Sequence, residues 1–591
     1  MWPPRWRDSS RGETIGGMRR GILLGITLGL VCAPAAFAGT AGTWTPVAPV
    51  FDQNFNVVGL QRTADGVLHV VAQAQSAAAN QDDIVHTPVS PNGTVGPTTS
   101  VATGWVGTES PDLALNPGGG LAAMWGGLHS TTTGDPLNDS GIATSDDSGA
   151  AWSLAPVAPV TGGFAYGSQW AIANAGGVLF QAWFSTSGTY VHRGTDQTTP
   201  DNDYQAQLGG YGAVPGFGVD GADGSLWLGW QTSFANQNNG VWTQQVDQST
   251  GAPAGSPAKM PGSSVEFQGG TESSTILGRT PITGRPGRPG VWMAYATGYP
   301  TADKIVVWKV GAAASTTLED SNGINHRNVA ITADPDGRVI VAWSSDTGSA
   351  GKLFARVSNT DVTSWGPTFE IPGLPNASSG WALQTSAQSG ALIDVLRNYT
   401  ESDNSTVRFY HTQAVAPPVL AKAVDASVVS GVVLIKLAGS NAFVPLTHES
   451  QIPVGATIDA TNGRVRVVEA LPGGKAQSAD FFQGVFKVTQ AKTGLADLTL
   501  AGGNFAVCGK AKRAAGAAKV VEVRKLWGAG KGKFRTKGRY ATASIRGTTW
   551  LTDDRCDGTL IRVTQGSVTV RDLVKKQNVV VKKGQTYLAK R

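Results

Sequence analysis

Cysteine is almost missing from this chain: there are three in 591 residues, and one of them, Cys32, falls within the first 38. So few sulfurs exclude a disulfide-dense scaffold of the small secreted kind. Charge is sparse too, at 15% Asp, Glu, Lys and Arg, yet the chain carries 41% hydrophobic residues and 18 Trp. That balance excludes a disordered chain, which needs high charge and few aromatics. Beyond residue 38 no apolar run reaches the 18 or more residues of a membrane-spanning helix.

What is present begins at the amino end. Met18-Arg19-Arg20 is basic, residues 21–31 form a short uncharged apolar run, and Ala36-Phe37-Ala38 has the small-x-small pattern of a signal-peptidase site. The segment predicts export with cleavage after Ala38. Residues 1–17 add nothing to such a signal, and Met18 is an alternative start. Cys32 offers a second reading, a lipid-modified cysteine, against which stands the bulk of Val31. After cleavage only Cys508 and Cys556 remain. Outside the cell a lone pair is expected to bond, the alternative being two separate buried thiols.

Charge divides the mature chain in two. Residues 39–417 hold 14 basic and 29 acidic residues, whereas residues 418–591 hold 28 basic and 11 acidic. A sign change this large predicts two domains, 39–413 and 425–591, joined by a linker at 414–424 with the Pro417-Pro418 pair.

The acidic part repeats itself. A Gly-containing turn followed by a short apolar run recurs at 65–72, 119–125, 176–183, 223–230, 289–295, 336–343 and 389–396, at spacings of 47 to 65 residues. A second strand-like segment follows each run, beginning at Ile84, Ile142, Tyr190, Val241, Ile305, Leu353 and Val407. Asp-Gly is a strong hairpin signal, and near-continuous apolar runs suit strands covered on both faces. About 50 residues per unit fits one four-stranded propeller blade. The fold class predicted is therefore all-β, a seven-repeat β-propeller followed by a smaller β domain; an irregular array of β-sandwiches is the alternative.

One segment points to a family. Ser145-Asp-Asp-Ser-Gly-Ala-Ala-Trp152 meets the Asp-box pattern S-x-D-x-G-x-x-W at Ser145, Asp147, Gly149 and Trp152. With these repeats, the propeller region resembles the sialidase-like, BNR-repeat proteins, in which the box ties a hairpin between outer strands and plays a structural part. A second stretch starting at Ser344 begins the pattern but ends in Gly351 where Trp is required. A sialidase needs three arginines to hold a carboxylate, a Tyr–Glu pair and an acid. The family's Phe/Tyr-Arg-Ile/Leu-Pro motif is missing, since Arg62 sits in Leu60-Gln61-Arg62-Thr63. Glu266, Glu272, Arg279 and Tyr295 are candidates that nothing ties together, and catalytic members of the family have six blades. The resemblance thus implies a binding propeller without catalytic residues, with a sialidase-type glycoside hydrolase as the alternative.

Asp196 and Asp201-Asn202-Asp203 offer oxygens of the kind Ca²⁺ takes, and read first as a polar loop; no cofactor is expected. Trp170, Trp227, Trp242 and Trp381 suit either sugar stacking or packing between blades.

The basic part alternates Val with outward Lys and Arg. Ile545-Arg-Gly-Thr548, then Gly566-Ser-Val-Thr-Val570 and Gly584-Gln-Thr-Tyr587, resemble the motifs of FecR-like domains. That resemblance implies an extracytoplasmic β module; signalling, its best-known role, expects an upstream membrane helix that does not precede this domain. Arg524, Lys525, Lys531, Lys533, Arg535, Lys537 and Arg539 interleave with Trp527 and Tyr540, a pattern suited to an anionic wall polymer and, outside the cell, not to nucleic acid. The reading as a whole is a monomeric exported binding protein, with a glycan or surface protein as the propeller's partner.

Overall fold

The structure, a computed structural model, describes residues 42–49, 57–78, 81–106, 108, 111–129, 139–159, 170–185, 188–195, 202–204, 212–232, 240–263, 279–297, 302–321, 323–345, 351–403, 406–510, 520–545 and 547–591. The signal segment with Cys32 lies outside these residues, as do Asp196, Asp201, Glu266 and Glu272. Among the described residues no helix is long and apolar enough to cross a membrane.

Among the described residues the protein is all-β apart from one helical turn, Val507–Lys510, and a β-propeller is formed within 45–415. Each repeated apolar run becomes the second strand of an antiparallel unit, for example Leu68–Gln75, Leu226–Thr232 and Val339–Ser345. The segment after it becomes the third strand, as in Asp82–Val89, Gly240–Val246 and Lys352–Val357. A further strand ahead of each run lines the axis. These inner strands, Gly59–Arg62, Asp112–Leu115, Ala171–Ala175, Gly212–Val219, Ile282–Arg285, His326–Ala333 and Ser379–Gln388, touch one another in sequence, and the last returns to the first.

The expectation of a seven-repeat propeller is corrected: among the described residues five blades stand as separate four-stranded sheets. The two amino-terminal units are fused into one nine-stranded sheet, because Thr99–Val106 continues onto Leu121–His129 through Trp105 opposite His129 and Val106 opposite Leu128. The physical reason lies in the side chains at the seam. Trp105 packs edge-on against both Trp125 and His129, which draws the outer strand of one unit onto the next.

The ring closes by sharing strands across the ends of the propeller. Thr45–Pro46 pairs antiparallel with Val407–Val415, completing the last sheet with the earliest described strand. Gln384 seals the same seam with its amide, giving Nε2–H to Val58 O at 2.6 Å and accepting Val58 N–H at 2.6 Å. Between sheets the core is apolar and aromatic, so second strands such as Val339–Ser345 are buried along their whole length.

Residues 423–590 build a second body of two sheets, eight-stranded and nine-stranded. Its core, with Phe481, Phe486, Phe534 and Trp550 at the centre, takes no residue from the propeller. Trp550 is fully buried and gives its indole N–H to Thr536 Oγ1 at 2.9 Å, so the one polar atom of that ring is satisfied. Cys508 and Cys556 are disulfide-bonded, tying the helical turn to the strand Thr548–Arg555.

Candidate functional site

The inner strands enclose an axial cavity of about 1230 Å³, and the second body forms one of its walls. On the propeller side the lining is mixed: Leu60, Leu115, Ile172 and Phe217 lie among Asn174, Thr283, Thr332 and Ser386, with charged groups at the rim. On the opposite side Leu437, Val444, Pro445 and Leu446 give an apolar wall. The end of the cavity nearest the second body is where first and second strands join in tight turns such as 63–66 and 334–337, so the second body sits over these turns.

Docking uses few bonds. Gln451 gives its backbone N–H to Gly390 O at 2.7 Å and its side-chain amide to Pro417 O at 2.7 Å, while His448 Nε2 meets Ser389 O at 2.9 Å. Gly390, at φ +80°, lies so close to Ser450 that a Cβ there would come within 2.5 Å of its side chain. Burial pushes the Asp425 carboxyl well above the usual range, and nearby Glu449 adds to the shift.

The charged groups of the cavity are already committed to one another. Arg279 crosses the axis at the far end of the inner strands. It donates Nε–H to Trp170 O at 2.6 Å, Nη1–H to Val58 O at 2.9 Å and Nη2–H to Pro111 O, and pairs with Asp112 Oδ2 at 3.2 Å. Three inner-strand starts are thereby held by one guanidinium. Burial pushes the Asp112 carboxyl up and the Arg279 guanidinium down, each shift opposed by the charge of the other. Arg62 reaches Asp394 Oδ2 at 2.5 Å; Asp394 also takes His411 Nε2 at 2.8 Å and the Gln413 amide at 2.9 Å. Burial alone would raise the Asp394 carboxyl, but the His411 hydrogen bond and the Arg62 charge hold it below the usual range. Arg338 bridges Asp334 at 2.8 Å and Asp336 at 2.5 Å.

The sialidase candidates among the described residues therefore do not converge. Arg62 and Arg279 are each spent on a buried carboxylate, and Tyr295 is buried in the packing between sheets. The two carboxylates lining the cavity, Asp112 and Asp336, are each engaged by an arginine and a backbone N–H. Chemically, this arrangement offers both hydrogen-bonding and apolar surfaces to a ligand. Sequence reading missed the cavity because its wall comes from residues 435–452, which only folding brings to the axis.

The other predicted residues fall away from the axis. In the Asp box, Ser145 Oγ–H donates to Asp147 Oδ1 at 2.7 Å and accepts Gly149 N–H at 2.9 Å, and Ala151 N–H donates to Asp147 Oδ1 at 2.9 Å. These bonds hold the Asp147 carboxyl below its ordinary value, the Ala151 N–H foremost. Trp152 packs edge-on over His86 at 5.6 Å, and His86 in turn meets His69 Nδ1 at 2.9 Å. Trp170 is buried and stacks on Trp183, while Trp227 and Trp242 are half-buried within the core between sheets; packing, not display, is their role. For Trp381 only the backbone is described.

The basic stretch is largely neutralised in place. Arg524 pairs with the buried Asp554 at 2.8 Å, Lys525 with Glu522 at 3.0 Å, and Arg535 and Lys537 both with Asp497 at 2.5 and 2.6 Å. Lys533 Nζ meets Thr493 O at 3.3 Å, and Arg539 stacks over Phe505 at 4.4 Å. Lys531 is exposed without an ion pair among the described residues.

No family model matches the chain, and no curated protein matches it. Solved structures are similar at low identity. The α-L-arabinanase of Penicillium chrysogenum, complexed with arabinobiose, is 13% identical over 64% of this chain and 98% of its own, with a TM-score of 0.35. The α-L-arabinofuranosidase Arb93A of Fusarium graminearum is 11% identical over 64% and 98%, with a TM-score of 0.34. The β-propeller domain of the trilobed protease of Pyrococcus furiosus, described as having an open velcro topology, is 8% identical over 62% and 97%, also with a TM-score of 0.34. No residue role is carried across at such distances; the propeller of this chain rests on its own strand pairing.

Proposed function

We propose that this is an exported, non-catalytic binding protein whose propeller holds a neutral glycan in the axial cavity and whose basic second body associates with an anionic polymer of the cell envelope. The observation that carries this reading is the cavity of about 1230 Å³, in which hydroxyl and amide side chains stand among apolar ones on the propeller wall and an apolar strip forms the other. Sugars present both kinds of surface, and concave sites at domain junctions are where ligands are held. Within this proposal the Asp-box propeller is a sialidase-like relative that lost its chemistry, and the second body is a FecR-like module reused as an attachment domain. The excess of basic residues after Pro417 supports attachment by charge.

The test is titration calorimetry of the mature chain with neutral and acidic oligosaccharides. Neutral sugars should bind, and Thr332→Trp, which fills the cavity, should weaken binding at least tenfold. Release of product from a fluorogenic sialoside, or unchanged affinity in the Thr332→Trp variant, would overturn the reading. Attachment is checked separately by salt-sensitive retention of the full chain on isolated cell walls.

A further inference from the structure

The carboxyl-terminal end of the second body carries a different feature. Residues 571–591 contain seven basic residues and one acidic one. That acid, Asp572, is buried, and it accepts the Tyr587 hydroxyl at 2.8 Å and the N–H groups of Val574 and Lys575 at 2.9 and 2.8 Å. Lys575, Lys576, Lys582 and Lys583 are exposed and form no ion pair among the described residues. Unlike Arg524, Lys525, Arg535 and Lys537, these are free to meet a partner.

Between the two lysine pairs runs the strand Asn578–Lys582, the last of the nine-stranded sheet, paired on one side only. The register fixes which backbone groups are left over. Lys583 N–H bonds Gly566 O and Asp572 N–H bonds Gln577 O, so residues 577, 579, 581 and 583 face the neighbouring strand. Asn578, Val580 and Lys582 turn their N–H and C=O outward, and the Lys582 N–H is taken by Gln585 Oε1 at 3.0 Å. Val580, in the middle, exposes 59% of its surface, with Leu573 and Val574 also exposed beside the strand.

We propose that Asn578–Lys582 is a docking edge for an acidic, extended polypeptide. The peptide adds as a further strand on Asn578 and Val580, sets an apolar side chain against Val580, and places carboxylates at Lys575/Lys576, in the turn before the strand, and at Lys582/Lys583 at its far end, the strand between spanning about 13 Å at 3.3 Å per residue. A polysaccharide answers the lysines but not the ladder of backbone donors and acceptors. A second copy answers the ladder but brings lysines against lysines, the usual way such an edge is kept from pairing with itself. An acidic peptide answers both, and this goes beyond the envelope-polymer reading above.

Fluorescence anisotropy of the full mature chain tests it, with a labelled nine-residue probe alternating Glu and Val. Three probes of equal charge serve as controls: the same peptide N-methylated at alternate residues, oligo-glucuronate, and single-stranded DNA. Binding of the plain peptide should weaken at least tenfold on N-methylation, and similarly with Lys576→Glu plus Lys583→Glu. The N-methylated probe leaves the protein untouched, so a folding defect cannot mimic the effect. Equal binding of the plain and N-methylated peptides, or of oligo-glucuronate or DNA, would reduce the edge to a charged surface and overturn the proposal. So would no binding at low salt, or concentration-dependent self-association abolished by Val580→Pro. Retention on cell walls, the measure of the earlier reading, is independent of each of these outcomes.

Discussion

At the scale of single residues, the Asp box shows how a short motif is enforced by its neighbours. Ser148 and Gly149 both take positive φ, 59° and 85°, and a Cβ at Gly149 would approach His86 Cε1 to 2.2 Å. Gly149→Ala therefore adds a clash to backbone strain, and a loss of about 1–3 kcal/mol in urea unfolding is expected. An unchanged midpoint would mean that the turn and the His86 ring shift freely together. His86 itself is pushed down to about 4, first by burial and then by the charge of His69. Its folded value lies below its unfolded value of about 6.5, so the unfolded chain binds more protons between those limits and stability rises with pH across them. Melting temperature should fall as pH drops from 6.5 toward 4, and His86→Phe should flatten that slope; a variant with the wild-type slope would exclude His86 as the cause.

At the scale of elements, each apolar run could be read in the sequence because a strand covered on both faces leaves a run that no solvent-facing residue interrupts. The Asp box was legible for a similar reason, since its hydrogen bonds span seven consecutive residues. What stayed hidden depends on distant partners: the fusion at Trp105, Trp125 and His129, the crossing of Arg279 onto Val58, Pro111 and Trp170, and the pairing of Arg524 with Asp554. Composition sees a cluster of cations; only the register reveals which acids answer them. The Cys508–Cys556 bond, 48 residues apart in sequence, is an element-scale constraint, tying a helical turn to a strand. By loop entropy it contributes about 3–4 kcal/mol. Cys508→Ser with Cys556→Ser should lower the urea midpoint of the second body accordingly, while equal midpoints with and without the bond would show that strand pairing alone fixes that end.

At the scale of the whole molecule, two bodies meet through few hydrogen bonds and share no core residue. The core around Phe481 and Trp550 draws only on residues 424–589, and those between the propeller sheets only on residues 44–416. Cooperativity follows shared burial, and multidomain chains with separate cores depart from a single transition. Calorimetry should therefore resolve two unfolding events. A reductant should move only one of them, since the disulfide lies wholly in the second body, and acid should lower the other through the His69–His86 pair of the propeller. Substituting Gly390 by Val, where a side chain would strike Ser450 at the junction, should bring the two bodies apart without abolishing either event. A single transition responding to both reductant and acid would instead mean that the junction at Ser389, Gly390, His448 and Gln451 couples the cores as one unit.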